Sequence, residues 1–191
     1  MINKWREPCS RKRRLVTTPT AAEWYALLNY WEITNPFPGY IPQEYPGIPM
    51  INNAYKLMLK EAQEYLGNAY AWGGKQPPNF DCSGYVGYLY KKYNLIPQDI
   101  ISYTGTLFDY VSEYKVDEED ALPGDWVFWG IGDPPTAWAS NAHVAIYIGN
   151  GYILDSASKG VDYRFVSYHG TVAKFMGYYH VPSNVPDILG V

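Results

Sequence analysis

Phe80-Asp81-Cys82-Ser83-Gly84 decides how this chain is read. It sets a cysteine at the start of a helical pattern, directly after the glycine- and proline-rich run Trp72-Gly73-Gly74-Lys75-Gln76-Pro77-Pro78. A helix N-terminus presents unpaired N–H groups and the positive end of the macrodipole, and both favour thiolate over thiol. Downstream, Cys82, Val86, Leu89, Tyr90 and Tyr93 recur at helical spacing, which predicts a helix over 82–93 with the thiol on its buried side. Upstream, Ala54, Leu57, Met58, Glu61, Ala62 and Tyr65 predict a helix over 54–65, capped by Asn53 and ended by Gly67.

Strand signals follow the helices. Leu122-Pro123-Gly124-Asp125 reads as a turn into a short strand over 126–129, with a loop over 130–142. Residues 143–148 and 152–155 read as a hairpin, and 173–180 as a further strand. Helices first and strands later predict an α+β fold with an antiparallel sheet.

His143 opens the hairpin, 61 residues beyond Cys82. Cysteine with a distant histidine is the minimum set for a cysteine peptidase or acyltransferase. Asp155, 12 residues further on, is the candidate to orient the imidazole. Side-chain direction has period two, so loop length decides whether the two residues share a face. A two-residue Asn150-Gly151 loop turns Asp155 away from His143. A three-residue Gly149-Asn150-Gly151 loop, or a bulge, sets Ala145 opposite Asp155 and restores the shared face. The two glycines ease the odd loop, which is the expected form.

Composition narrows the field. The chain has 191 residues, 47% hydrophobic and 17% aromatic, enough for one domain with an appendage. The rings divide between core packing and walls of a groove for a polar polymer. Net charge is −4, yet Lys4, Arg6, Arg11, Lys12, Arg13 and Arg14 cluster at the N-terminal tip against Glu7 alone. A basic tip on an acidic body suits either a solvated tail or an anionic surface, and the acidic body argues against nucleic acid as partner. Cys9 and Cys82 form neither a disulfide framework nor a zinc spacing, and Cys9 reads as a bystander. No stretch is long and apolar enough to span a membrane, and no apolar run follows the basic tip as in a signal peptide. The chain is therefore expected to leave the cell by another route, to act inside it, or to be part of a longer protein. A short helix is expected over 21–30, and five prolines between 36 and 49 predict a stiff extended linker.

Four blocks in order carry a resemblance: Tyr65-Leu66-Gly67-Asn68-Ala69-Tyr70-Ala71-Trp72-Gly73-Gly74, then Phe80 to Gly84, then Leu122-Pro123-Gly124-Asp125-Trp126-Val127-Phe128, then His143-Val144-Ala145-Ile146-Tyr147-Ile148-Gly149-Asn150-Gly151. Over residues 50–181 the chain resembles the NlpC-type family of bacterial cell-wall cysteine peptidases. Residues 22–50 look like the segment preceding this domain in proteins of Gram-positive conjugative elements, which would make the chain the C-terminal domain of such a protein or a stand-alone relative of a wall-remodelling component.

The resemblance implies a papain-like domain over 51–183, flanked by 1–50 and 184–191. It also implies hydrolysis of peptidoglycan stem peptides, commonly after γ-D-glutamate, at the cell wall or outside the cell. The implied nucleophile is Cys82, the base His143 and the orienting residue Asp155, a position often held by histidine in relatives. Tyr70, Asp81 and Ser83 fall on substrate contacts, with an aromatic lid and ordinary N-capping as their structural alternatives. Neither metal nor organic cofactor is expected, and the protein is expected to be a monomer. Lys75 and Arg164 are read as surface cations able to meet substrate carboxylates. His169 and His180 are assigned structural or surface roles. Two rival functions share the scaffold: an acyltransferase or amidase, and a non-catalytic wall-binding module.

Overall fold

The computed structural model describes residues 53–171 and 173–182. Cys9 with the basic tip, the helix expected over 21–30 and the proline-rich segment 36–49 lie outside the described residues.

Helix α1 (Asn53–Glu64) buries Tyr55, Met58, Leu59 and Ala62, whereas Leu57 is half exposed. The buried stripe is thus rotated from the expected one, because the helix packs against α2 (Cys82–Lys92) through Glu61 as well as through its apolar residues. Glu61 is buried and accepts from Tyr65 Oη at 2.5 Å, Lys92 Nζ at 2.6 Å and Tyr93 Oη at 2.7 Å. These three donors, one of them the Lys92 cation, hold its carboxyl below the usual range against the upward push of burial. Gly67 takes φ +83 shortly after the helix, as its placement predicted.

Between the helices, β1 (Lys75–Gln76) and β2 (Asn79–Phe80) make a short antiparallel pair. Helix α2 buries Cys82, Ser83, Gly84, Tyr85, Val86, Gly87, Leu89 and Tyr90, so it is covered on nearly all sides rather than on one face. It runs through the main core against α1, β1 and the sheet, and also meets α3 (Thr104–Val111), a helix that the sequence reading did not anticipate.

The sheet is antiparallel, with strand order β3-β9-β4-β6-β7-β8. Its strands are β3 (Lys115–Val116), β4 (Trp126–Gly132), β6 (His143–Gly149), β7 (Tyr152–Ala157), β8 (Gly160–Phe165) and β9 (Lys174–Tyr179). The fold is therefore α+β, as expected. Within the expected 130–142 loop, β4 continues to Gly132 and folds back on β5 (Pro135–Thr136), pairing Ile131 with Thr136. One sheet face carries Trp126, Phe128, Val144, Ile146 and Leu154 into the helical core. The other carries Val127, Trp129, Ala145, Tyr147 and Ile153 into a second cluster.

The β6–β7 hairpin settles the parity question by an unexpected device. Its ladder closes at Gly149 and Tyr152 around Asn150-Gly151, both at positive φ (55° and 75°). That is the two-residue loop, not the three-residue one. However, the register shifts by one between Tyr147 and Gly149, so Tyr147 faces Ile153 and Ile146 faces Leu154. The bulge restores the odd register, and extending it sets Ala145 opposite Asp155, on the His143 face.

Candidate active site

The α2 N-terminus is built by a close approach of two glycines. A side-chain carbon on Gly84 would lie 1.9 Å from the Gly74 carbonyl oxygen, so no other residue fits there without moving the loop. Asp81 caps the helix, its Oδ1 accepting from Gly84 N at 2.6 Å and from Ser83 Oγ at 3.0 Å. Its Oδ2 pairs with Lys75 Nζ at 2.7 Å, and the same ammonium lies 3.1 Å from Ser83 Oγ. The N-capping alternative for Asp81 is thus realised, and Lys75 belongs to this network rather than to free surface. Cys82 is the first residue of α2, where the N–H has no acceptor within the helix.

A groove of about 760 Å³ runs past this helix start. Tyr70, Lys75, Asp81, Cys82, Ser83 and His143 all line it, as do Trp72, Tyr103, Tyr168 and His169. Fully buried rings such as Phe80, Tyr85, Tyr90 and Trp126 form the core instead, so aromatic residues stand both in the core and along the groove. The Cys82 sulfur lies 3.7 Å from Thr104 Oγ1, at the start of α3, and 3.9 Å from the Ala142 carbonyl oxygen.

Burial, the largest influence, raises the pKa of the thiol, and the charge of Asp81 adds to the rise; the charge and hydrogen bond of His143 and a backbone bond to Val144 lower it, and the net direction is down. Burial works against the imidazolium of His143, yet the Cys82 thiolate and the Asp155 carboxylate push its pKa up to about 10. Each group in its charged form thus favours the charged form of the other. Tyr70 stands beside them, its phenol pushed up to about 12 by burial and by the charges on Cys82 and Asp81.

His143 Nε2 lies 2.5 Å from Asp155 Oδ2, which leaves Nδ1 as the nitrogen available to the thiol. Asp155 is completely buried. Burial alone would raise its pKa, but bonds to His143 and His169 and the charges of His143 and Arg164 hold it well below the usual carboxylate range.

Two assignments made from sequence are corrected here. Arg164 is buried, pairs with Asp155 Oδ1 and donates to the Gly160 carbonyl at 2.9 Å, so its guanidinium is spent inside the protein. His169, expected in a structural or surface role, stands at the candidate site. It lies on the 3₁₀ turn Val166–Thr171, lines the groove and reaches Asp155 Oδ2 through Nε2 at 2.7 Å. His180 does take a structural position, 2.8 Å from the buried Asp125.

Among the described residues, His143, Asp155 and His169 offer three metal-type ligand atoms within 4.8 Å of one another. Both carboxylate oxygens are already engaged by the two rings and a guanidinium, a donor set that suits proton handling more than a cation.

The sequence profile of the NlpC/P60 family matches residues 67–179, which hold the helix-tip cysteine, the hairpin and every group around Asp155. The chain belongs to the NlpC/P60 family. It is 38% identical over 115 residues to "Probable endopeptidase p60" of Listeria seeligeri, a match spanning 60% of this chain and 19% of that protein. It is 35% identical over 111 residues to "Bifunctional muramidase/DL-endopeptidase CwlT" of Bacillus subtilis, spanning 57% and 31% respectively. The chain thus corresponds to less than a third of either relative's length. A lipoprotein-like NLP/P60 crystal structure from Staphylococcus aureus superposes with TM-score 0.59 at 22% identity, over 75% of this chain and 46% of that one. That likeness supports the papain-like NlpC-type fold.

Proposed function

We propose that this NlpC/P60 domain is a cysteine peptidase that hydrolyses peptidoglycan stem peptides, cleaving after γ-D-glutamate, at the cell wall or outside the cell. The domain would span 51–183, with 1–50 and 184–191 as flanking segments. The observation that carries the reading is the coupled thiol and imidazole in one groove, with the imidazole held at 2.5 Å by a buried carboxylate.

The Cys82 thiolate attacks the scissile carbonyl carbon, and charge moves to the carbonyl oxygen, where the Cys82 N–H at the helix start can receive it. His143 Nδ1 gives its proton to the leaving amine as the C–N bond breaks, and a thioester remains. Water then attacks the thioester, His143 takes its proton, and the carboxylic acid leaves as the thiolate is regenerated. Asp155 holds the ring through Nε2 and stabilises its charged form at both proton transfers.

On this reading Tyr70 reaches the substrate backbone from the groove wall. Ser83 and Asp81 meet the amino end of the stem, with the substrate ammonium taking the place of Lys75 Nζ at Asp81 Oδ2. Incubation with purified peptidoglycan followed by mass spectrometry of the products tests the reaction and the bond together. The expected outcome is cleavage by the native protein and none by Cys82→Ala. Intact muropeptides with retained wall binding would favour the non-catalytic module, and transfer to an acceptor other than water would favour an acyltransferase.

A further inference from the structure

Asp155 is served by more donors than a simple orienting residue requires. Its Oδ2 accepts from two imidazoles, His143 Nε2 at 2.5 Å and His169 Nε2 at 2.7 Å, while Oδ1 holds Arg164. The two rings also stack, with centroids 3.9 Å apart and planes 30° apart. Trp129 backs both, at 5.7 Å from His143 and 4.9 Å from His169, and Tyr168 meets His169 edge-on at 4.9 Å. The His143 ring therefore cannot turn without breaking both a hydrogen bond and a stacked face.

We infer that His169 is a positioning residue for the His143 base: it donates Nε2–H to Asp155, fixes the plane of that carboxylate, and clamps the His143 ring by stacking. The charge environment keeps it in the neutral donor form. His169 faces Asp155, the His143 ring and the Arg164 guanidinium, which itself lies over Tyr168. Burial and the two neighbouring cations oppose a third positive charge there, against the single attraction of Asp155, and its pKa falls below the ordinary histidine value. The leading influences on the Cys82 thiol are burial, His143, Asp81 and Val144, and those on His169 are burial, Asp155, His143 and Arg164, so the second imidazole acts through the first. One neutral imidazole holding the carboxylate while the other carries the charge is a division of labour between like groups set apart by environment.

The experiment uses His169→Ala, His169→Asn and His169→Phe, read by two assays. Turnover of muropeptides rests on the peptidase reading. The pH profile of Cys82 alkylation by iodoacetamide does not, because it reports the thiolate–imidazolium pair without substrate. His169→Ala should lower kcat by roughly 10- to 100-fold with little change in KM, the loss of one charge-assisted hydrogen bond. His169→Asn, whose amide can donate to Asp155, should recover most of that loss, and His169→Phe, which keeps only the stacked ring, should not. The alkylation profile should move to higher pH in the Ala and Phe variants and stay near native in Asn.

Equal rescue by Phe and Asn, or native profiles in a folded Ala variant, overturns the inference. Should the variants fail to fold, histidine nitrogen NMR of the native chain decides. His169 must be neutral with its proton on Nε2 at pH 7, and a charged ring or the Nδ1–H tautomer refutes the role. An unchanged alkylation pattern across variants sinks His169 alone, whereas the expected pattern without any muropeptide cleavage sinks the peptidase reading alone.

Discussion

Asp155 on β7 and Asp125 before β4 are both buried, and each bonds an imidazole, at 2.5 Å and 2.8 Å respectively. Their surroundings then diverge. Asp155 has two imidazoles and a guanidinium; Asp125 has His180 and the backbone N–H of Leu122 at 2.7 Å. Burial raises the Asp125 pKa and the bonds to His180 and Leu122 do not overcome it, whereas around Asp155 the donors and cations win. A buried histidine–aspartate pair therefore does not by itself hold a carboxyl below its ordinary pKa. Around Asp155 the second imidazole and the guanidinium add the positive charge that does.

The largest effect on this contrast belongs to the thiol that exploits it. Cys82→Ala should lower muropeptide turnover by more than about 10³-fold while leaving the melting transition in place. Iodoacetamide should label Cys82 in the native chain, as peptide mapping will separate it from Cys9. Next comes exchange of the carboxylates. Asp155→Asn leaves Arg164 buried without its anion, so a loss of about 3–5 kcal/mol is expected in denaturant titration. The same change should cost roughly 10²- to 10⁴-fold in kcat. Asp125→Asn should cost about 1 kcal/mol and leave kcat within about 2-fold. Equal losses from the two exchanges would break the contrast.

The pH dependence sharpens it further. Asp155 titrates below its unfolded value, so its contribution to stability is present above that value and is lost as pH falls through the depressed pKa. Asp125 runs the other way: it binds its proton more tightly when folded, so it costs stability at neutral pH and that cost is relieved in mild acid. Melting temperatures of the two Asn variants against pH should therefore diverge from native in opposite senses. The thiol is linked to the same charges. Native Cys82 should alkylate readily below pH 9, the ordinary thiol value, and His143→Ala should push its profile up, because burial is then opposed by less. The smallest expected effect is at Lys75. Its side chain is 39% exposed at the groove, so Lys75→Met should change KM for stems with a free amino end by only about 2- to 5-fold, downward as Asp81 is released.

How far the sequence foretold this site depends on whether a residue belongs to a periodic element. Cys82 was legible because helix periodicity and the preceding glycines both mark it. Asp155 followed from period-two alternation, although the register came from a bulge at Ile148 and not from an odd loop. His169 was missed because a 3₁₀ turn over 166–171 has no extended periodicity to place its side chains. Arg164 was misread as surface because β8 went unrecognised; Gly160, at φ 91° directly after Ser158-Lys159, was the available hairpin signal. Helix α3 has only eight residues and begins after Tyr103 without a side-chain cap, so the usual start signal is lacking. Leu57 was expected in the core and is half exposed, whereas Glu61, one turn further on, is buried against Lys92 and Tyr93.

The spare residue at Ile148 makes the length of the connection between base and carboxylate part of the chemistry. Deleting one amino acid anywhere from Tyr147 to Tyr152, without touching any group that meets substrate, would exchange the sides on which Asp155 and Ser156 emerge. It would send a hydroxyl toward the imidazole and bury an anion among the helices. On the proposed reading, natural drift in this hairpin should proceed by even steps, and a single-codon loss there is expected to abolish turnover as loss of the sulfur would.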